Sequence, residues 1–142
     1  MPARRDTPDP AGRLARSGLR ATRQRVAVLT LLQSHQGHPS ALDLHRRLIA
    51  RQPNLSQKTV YEILDALVGA GLARRVTQTG GPARYEARME RHDHALCRRC
   101  GRLFDIPAGA DAPIRRRAEL PEGFRVEGIA VMLEGRCRRC AT

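Results

Sequence analysis

Three stretches in the first half of the chain repeat apolar residues at the spacing of an α-helix. The clearest repeat runs through residues 56–71, where apolar side chains occupy positions i, i+3, i+4, i+7 and i+8: Val60, Ile63, Leu64, Leu67 and Val68. Residues 22–34 and 40–50 show the same period. A hydroxyl residue suited to capping a helix N-terminus opens each stretch: Thr22, Ser40 and Ser56. These patterns predict three helices, the third ending at Gly71.

The next segment, residues 73–88, alternates polar and apolar side chains on either side of Gly80-Gly81 and predicts a β-hairpin. Three helices followed by a hairpin make a winged helix-turn-helix, in which the third helix enters the DNA major groove. The alternative at this point is a small helical domain that fills no groove.

Beyond the hairpin, the pattern indicates a second, smaller unit of mixed structure. It predicts strands near residues 94–97 and 102–106, a helix over 110–120 and a strand over 124–135. We therefore expect an α+β protein. Its predicted parts are a flexible basic arm over residues 1–18, a winged-helix DNA-binding domain over 19–87 and a small α/β domain over 88–142.

Charge favours a nucleic-acid partner for this fold. The 142-residue chain carries a formal net charge of +12. Residues 1–86 hold 14 basic and 6 acidic side chains, against 12 and 8 in residues 87–142, so the surplus is concentrated in the predicted winged helix. Such a surplus indicates nucleic acid ahead of a membrane surface, with a solvated basic face as the alternative.

The compartment follows from two features of the sequence. No run approaches the ~18 apolar residues that a membrane span needs, and no apolar signal sequence opens the chain. We therefore expect a cytoplasmic protein without a membrane partner. Cysteines in a reducing compartment are more often metal ligands than disulfides.

The four cysteines form two Cys-x2-Cys pairs, Cys97 with Cys100 and Cys137 with Cys140, separated by 36 residues. Each pair places two sulfur atoms at one turn, and together they supply the four thiolates of a tetrahedral Zn(2+) site. Four thiolates fill the coordination shell, so the zinc is structural and has no open position for catalysis. The alternative is a set of free or redox-active thiols.

Two histidines beside the first cysteine pair, His92 and His94, are left over by that zinc site. In an extended strand both point to one face. Three more side chains of metal-binding type occur elsewhere: His38, Glu86 and Asp105. Spacing alone does not bring the five together. A further histidine, His45, is expected at the surface of the second predicted helix.

A resemblance to the ferric uptake regulator (Fur) family is carried by motifs that extend from about Gly18 to Cys140. In order, they are "GLRATRQR", "HPSALDLHRRL", "TVYEILDALVGAGL", "ARYEAR", "HDHALCRRCGRLFDI" and "GRCRRC". The resemblance implies a homodimer, with an N-terminal winged helix, a C-terminal dimerisation domain stabilised by the four-cysteine zinc, and a regulatory metal at the hinge. The hinge ligands of the family fall on His38, Glu86, His92, His94 and Asp105. Mixed nitrogen and oxygen ligation suits Fe(2+) or Mn(2+), and also zinc or nickel.

Departures from the family pattern bear on which branch the chain resembles. No cysteine is spare for the hinge site of a zinc sensor. The ligands of a further metal site in many members are replaced by Arg91, Pro113 and Ile129, so that site is expected to be lost. Asp105 and "GGPARYE" resemble the peroxide-sensing branch, the PerR-like and catalase repressors, although Glu86 stands where the best-known peroxide sensors have Asp. In that branch Fe(2+) and peroxide oxidise a ligand histidine, here His38 or His92.

The resemblance also implies DNA contacts. The contacting positions of the family fall on Arg20, for the minor groove, and on Tyr61 of the third helix. The position after Tyr61 is usually Arg, a guanine reader, but here it is Glu62, which indicates a different operator sequence. Further expected contacts come from the third helix and the hairpin: Gln57, Lys58, Thr59, Arg74 and Arg75. Arg84 of the hairpin is expected along the DNA backbone with the last two.

These features lead to one preferred function and two alternatives. We expect a metal-dependent, peroxide-responsive transcriptional repressor that acts as a homodimer on operator DNA. A sensor of iron, manganese, nickel or zinc supply has the same fold and is the first alternative. The second is a metalloenzyme with His92, His94 and a carboxylate as a facial triad for Fe(2+). The basic winged helix and the scarcity of aromatic residues argue against an enzyme, so no catalytic residues and no small-molecule substrate beyond metal and peroxide are expected.

Overall fold

A computed structural model describes residues 9–35, 37–76 and 80–141 of the chain. The chain divides into two compact units, with the boundary after Met89. The boundary between the two domains was predicted after Ala87. No helix in the described ranges is long and apolar enough to cross a membrane.

The first unit contains four helices: α1 (Pro10–Arg16), α2 (Arg23–Ser34), α3 (Ala41–Leu48) and α4 (Gln57–Gly69). The three predicted helices, α2 to α4, are confirmed together with their N-caps. Thr22 and Ser56 each accept a hydrogen bond from the backbone N–H three residues later, at 3.2 and 3.0 Å. Ser40 forms a capping box with Asp43. Gly71 has a φ of 70°, a left-handed conformation that stops α4 as predicted.

Helix α1 corrects the prediction of a flexible arm over residues 1–18. Asp9 caps this helix by accepting hydrogen bonds from Ala11 N and Gly12 N, and Pro10 occupies the first helical position, which proline tolerates well. Leu14 is fully buried in the core of the first unit. Burial of Leu14 explains why residues 10–16 form a helix although their basic composition predicted a flexible arm. Residues 1–8 of the predicted arm lie outside the described residues.

The predicted hairpin is formed by β1 (Arg74–Val76) and β2 (Arg84–Glu86), which pair antiparallel. Residues 77–79 lie outside the described residues, and Gly80 has a φ of 77° at the turn. Tyr85 N donates to Pro39 O at 2.9 Å, which ties β2 to the segment before α3. The helices and the hairpin share one apolar core, in which the fully buried side chains include Leu29, Leu44, Leu64 and Leu67.

The second unit contains β3 (His92–Cys97), β4 (Leu103–Pro107), α5 (Ala112–Arg117) and β5 (Met132–Gly135). The strand order is β4-β3-β5, with β3 antiparallel to β4 and parallel to β5. The α+β prediction is confirmed, but the strand predicted over 124–135 is wrong for residues 124–131, which form no strand. Their alternating side chains lack a covering surface within the unit, since Phe124 is 60% exposed.

Candidate metal centres and DNA-binding surface

Parallel pairing of β3 with β5 brings the two cysteine pairs together. Cys97 ends β3 opposite Gly135 of β5, and the four cysteine sulfur atoms all lie within 4.8 Å of one another. The Cys100 and Cys137 sulfurs are 3.9 Å apart. Four bonds of about 2.3 Å directed at tetrahedral angles require sulfur–sulfur separations of roughly 3.8 Å. The four side chains therefore fit a zinc ion.

Backbone N–H groups stabilise the thiolate form of Cys97, the form that binds a metal cation. Cys137 N donates to the Cys97 sulfur at 3.3 Å. Together with the N–H of Cys100, this bond lowers the pKa of the Cys97 thiol to about 6, so the thiolate is favoured. The pKa of Cys140 is raised to about 12, first by its hydrogen bond with Cys137 and then by burial. A bound divalent cation offsets the cost of several thiolates in one small volume.

In the first unit, two of the predicted ligands form a buried pair. His38 Nε2 lies 3.3 Å from Glu86 Oε2, and both side chains are almost completely shielded from solvent. Their positions follow from the backbone, because the bond from Tyr85 N to Pro39 O and an antiparallel bridge between Ser40 and Arg84 align the two segments. A donor separation near 3 Å suits two ligands that each approach one ion to about 2.1 Å.

Arg84, expected along the DNA backbone, has contacts within the first unit. Its Nη1 donates to His38 O at 3.1 Å and lies 3.8 Å from Asp43 Oδ2. The guanidinium thus links the His38 segment to the capping box of α3. These contacts engage Nη1 within the first unit, so the expected phosphate contact of this residue stays a prediction.

In the second unit, three predicted ligands lie on neighbouring strands. His94 is directly opposite Asp105 in the β3–β4 register. The Nε2 atoms of His92 and His94 lie 3.5 and 3.7 Å from Asp105 Oδ1, and the ring centroids are 4.6 Å apart. His92 Nδ1 lies 2.7 Å from Glu90 O. With the proton on Nδ1, that contact is a hydrogen bond and leaves the Nε2 lone pair for a metal.

Asp93, between the two histidines, has a structural role that the sequence did not reveal. It is buried, and its Oδ2 accepts hydrogen bonds from Gly109 N at 3.3 Å and Ala110 N at 3.2 Å. It therefore fixes the loop after β4 against β3. The only sequence signal was an acid placed on the opposite face of a strand from two ligands.

Arg91, expected to replace a ligand of a further metal site, takes part in an ion triad. Its Nη2 donates to Asp111 Oδ2, which also accepts from Arg115 Nε at 2.7 Å. The hydrogen bond from Arg115, followed by that from Arg91, lowers the pKa of the Asp111 carboxyl. Its guanidinium is thus engaged by a carboxylate, and the loss of the further metal site stays a prediction.

His45 corrects a minor expectation. It is buried rather than at the surface, and its Nε2 lies 2.8 Å from Leu55 O. A carbonyl oxygen can only accept, so Nε2 carries the proton and donates. His45 therefore supports the turn before α4 and lies outside the set of predicted ligands.

The exposed side of α4 carries most of the predicted DNA contacts. Four of these side chains face solvent: Gln57, Lys58, Tyr61 and Glu62. Thr59 is half-buried, and its Oγ1 is 2.8 Å from Ser56 Oγ at the helix cap. Lys58 Nζ lies 3.8 Å from Glu62 Oε1, a pair that leaves both side chains available to DNA because each is highly exposed.

Outside α4, the predicted DNA contacts differ in how accessible they are. Arg20 and Arg75 are exposed, whereas Arg74 is half-buried. Arg74 Nη2 donates to Met89 O at 3.2 Å, and its Nη1 lies 3.8 Å from Glu86 Oε1. Arg74 and Arg75, neighbours on β1, therefore differ in their accessibility to DNA.

The model of the ferric uptake regulator family matches residues 16–133. The chain belongs to the ferric uptake regulator family. It is 40% identical over 126 residues to ferric uptake regulation protein 1 of Mycolicibacterium fortuitum, covering 87% of this chain and 77% of the relative. It is 30% identical over 128 residues to the peroxide operon regulator of Bacillus subtilis, covering 90% of this chain and 88% of the relative.

Solved structures give the same result for the fold. The Vibrio cholerae ferric uptake regulator matches with a TM-score of 0.75 at 26% identity, covering 91% of this chain and 100% of that one. This Fur-family chain is a metal-responsive transcriptional regulator, and the α+β architecture with a clustered four-cysteine site is confirmed.

Proposed function

We propose that this chain is a DNA-binding repressor controlled by a regulatory metal bound to His38, Glu86, His92, His94 and Asp105. The observation that carries the proposal is the arrangement of these ligands within each unit. The first unit holds a buried His–carboxylate pair, and the second holds two histidines against one carboxylate. Imidazole and carboxylate donors together suit Fe(2+) or Mn(2+).

Division of the ligands between two units gives the metal its regulatory effect. A ligand shifts a conformational equilibrium only by the difference in its affinity for the two states. A metal that requires donors from both units binds best to the arrangement in which all five donors converge. We propose that this arrangement is the one that fits operator DNA, and that Zn(2+) at the four cysteines serves stability alone.

Peroxide control is the finer part of the proposal. With Fe(2+) at the regulatory site, peroxide is expected to add an oxygen atom to the imidazole of His38 or His92, after which the metal and the operator are released. Asp105 and the "GGPARYE" segment support this view, as does the likeness to a peroxide operon regulator. The competing proposal is a sensor of metal supply, which Glu86 and the likeness to a ferric uptake regulation protein favour.

We expect Tyr61→Ala to weaken binding to the selected operator by about 1–3 kcal/mol, the loss typical of one specific contact at a base edge. The reason is the exposed position of Tyr61 on α4, the helix that enters the major groove in this type of fold. Fluorescence anisotropy with the operator and with random DNA measures the effect. Tyr61→Phe, which keeps the ring, is the matched control. Equal losses on both DNAs for Tyr61→Ala exclude α4 as the reader of sequence.

The homodimer is supported by an exposed apolar surface in the second unit. Five large apolar side chains there are at least 44% exposed: Ile114, Leu120, Phe124, Val126 and Leu133. Large exposed apolar areas are unusual for a monomer and typical of an association surface, and we propose that these side chains contribute to one. Strand β5 is also an edge of its sheet, and edges with unpaired backbone groups favour association.

We expect Phe124→Asp combined with Leu133→Asp to convert the dimer to a monomer, because two carboxylates in an apolar interface lose their hydration without gaining partners. Light scattering at micromolar concentration measures the mass. Glu122→Lys changes the charge of a neighbouring exposed residue and should leave the dimer intact. Retention of the dimer by the double variant places the interface elsewhere.

A further inference from the structure

Arg74 lies on strand β1 of the hairpin, beside the predicted regulatory ligand Glu86. It is directly opposite Glu86 in the register of β1 with β2, and its Nη1 is 3.8 Å from Glu86 Oε1. The other carboxylate oxygen, Oε2, is 3.3 Å from His38 Nε2. One carboxylate thus faces both a predicted metal ligand and an arginine of the hairpin.

The surroundings of this pair make it sensitive to added charge. The Glu86 side chain is 5% exposed, so solvent screens it poorly, whereas the Arg74 side chain is 37% exposed and can turn outwards. A divalent cation on Glu86 neutralises the carboxylate and repels the guanidinium a few ångströms away. Arg74 also donates a hydrogen bond to Met89 O. This acceptor is neutral, so the bond does not compensate for the lost attraction to Glu86.

We propose that Arg74 couples the two binding events: Glu86 holds its guanidinium, and metal binding at Glu86 releases it to contact a DNA phosphate. This inference rests on the proposed regulatory site. The coupling is reciprocal, because two sites linked in free energy affect each other equally. Arg74 therefore lowers the affinity of the site for metal, and DNA that captures the guanidinium raises it.

The neighbouring Arg75 provides a matched control. It carries the same charge on the same strand, but adjacent residues of a strand point to opposite faces, and Arg75 is exposed. It pairs in register with Tyr85 rather than Glu86. Any phosphate contact made by Arg75 is therefore independent of the metal, whereas that of Arg74 depends on it.

The test compares Arg74→Gln with Arg75→Gln in the full-length, zinc-containing protein. Mn(2+) is the probe, with DNA affinity measured by anisotropy over a range of NaCl concentrations and Mn(2+) affinity measured by electron paramagnetic resonance without DNA. A phosphate contact contributes roughly one unit to the slope of log affinity against log salt. For Arg74→Gln we expect the salt slope to fall by about one unit when Mn(2+) is present and to stay unchanged when Mn(2+) is absent. Its Mn(2+) affinity should rise about 1.5-fold to fivefold, the range that corresponds to the loss of one partly exposed ion pair.

Arg75→Gln should lose about one unit of slope in both conditions and keep the wild-type Mn(2+) affinity. Arg74→Lys, which keeps the charge, should stay close to wild type in both measurements. If Arg74→Gln folds poorly, a lost unit of slope or a raised Mn(2+) affinity in Arg74→Lys overturns the coupling. Identical behaviour of the two Gln variants, or an unchanged Mn(2+) affinity in Arg74→Gln, overturns the coupling while leaving the regulatory site in place. If Mn(2+) does not strengthen DNA binding by the wild type, the regulatory site is wrong and the coupling fails with it.

Discussion

Cys97→Ser is expected to lose zinc and to unfold the second unit at a much lower temperature than the wild type. The apolar core of that unit is very small: among its described residues, the buried apolar side chains are Leu96, Cys97 and Leu103. A unit of this size needs additional support, and structural zinc contributes roughly 10 kcal/mol or more to folding. Metal analysis of the purified protein together with thermal unfolding measures both effects. Because the proposed dimer surface lies in the same unit, dissociation should accompany the loss.

Arg138→Ser is the control for this variant. Arg138 lies in the same turn as Cys137 and is exposed, so the substitution introduces serine next to the site without removing a ligand. It should retain zinc and its melting temperature. A Cys97→Ser protein that keeps a stable dimer and an unchanged melting temperature contradicts the structural role assigned to the four cysteines.

The helices of the first unit were predictable because their signals are local. Period and cap coincide in α4, where Ser56 caps the helix and the apolar stripe from Val60 to Leu67 is buried. Helix α1 escaped prediction because it is seven residues long and has one buried residue, Leu14, which is too few for a period. Its order depends on packing against the core, a tertiary effect that residue spacing does not record.

The strand predicted over residues 124–131 failed for a related reason. Alternation predicts a half-buried strand only if a neighbouring strand and a covering surface exist. Phe124 and Val126 have neither within the described part of their own unit and stay exposed. A second copy of the chain is the proposed source of both.

The two candidate metal sites differ in how far the sequence could reveal them. Each cysteine pair falls within one turn, so spacing alone predicted a zinc site at the four cysteines. The regulatory ligands are scattered, and their grouping came from resemblance to the family. The residues that support them depend on strand register: Arg74 faces Glu86 because those two positions are opposite in the hairpin, and Asp93 reaches a loop that pattern analysis could not place.

His92→Ala is expected to abolish metal-activated DNA binding while leaving zinc and the dimer intact. His92 is buried beside Asp105 and is not one of the predicted zinc ligands. Its loss should weaken regulatory metal binding by about 100-fold, since even the outer partners of metal ligands cost roughly 10- to 100-fold. Titration of Mn(2+) into protein mixed with labelled operator measures the response. His35→Ala, a histidine outside the predicted set, should respond like the wild type, and a normal response from His92→Ala excludes His92 from the site.

The same site decides between peroxide and metal supply as the signal. After anaerobic loading with Fe(2+) and brief exposure to peroxide, mass spectrometry should find one added oxygen atom on His38 or His92. None is expected with Mn(2+), which does not support the oxidation, and none on His35 or His45. His45 is an internal control, because it is buried like the ligands yet is bound to Leu55 O instead. Because His45 and the ligand histidines are similarly buried, burial alone cannot explain why His45 stays unoxidised.

Two other outcomes each have a definite meaning. Unmodified histidines, with DNA binding that survives peroxide, identify the chain as a sensor of metal supply. Oxidation confined to the cysteines, with release of zinc, identifies a thiol switch instead, for which the lowered pKa of Cys97 provides a reactive thiolate once the metal has left. Oxidation at His38 or His92 together with loss of operator binding supports the peroxide-responsive repressor, since only a metal-bound imidazole is close enough to the reaction to be modified selectively.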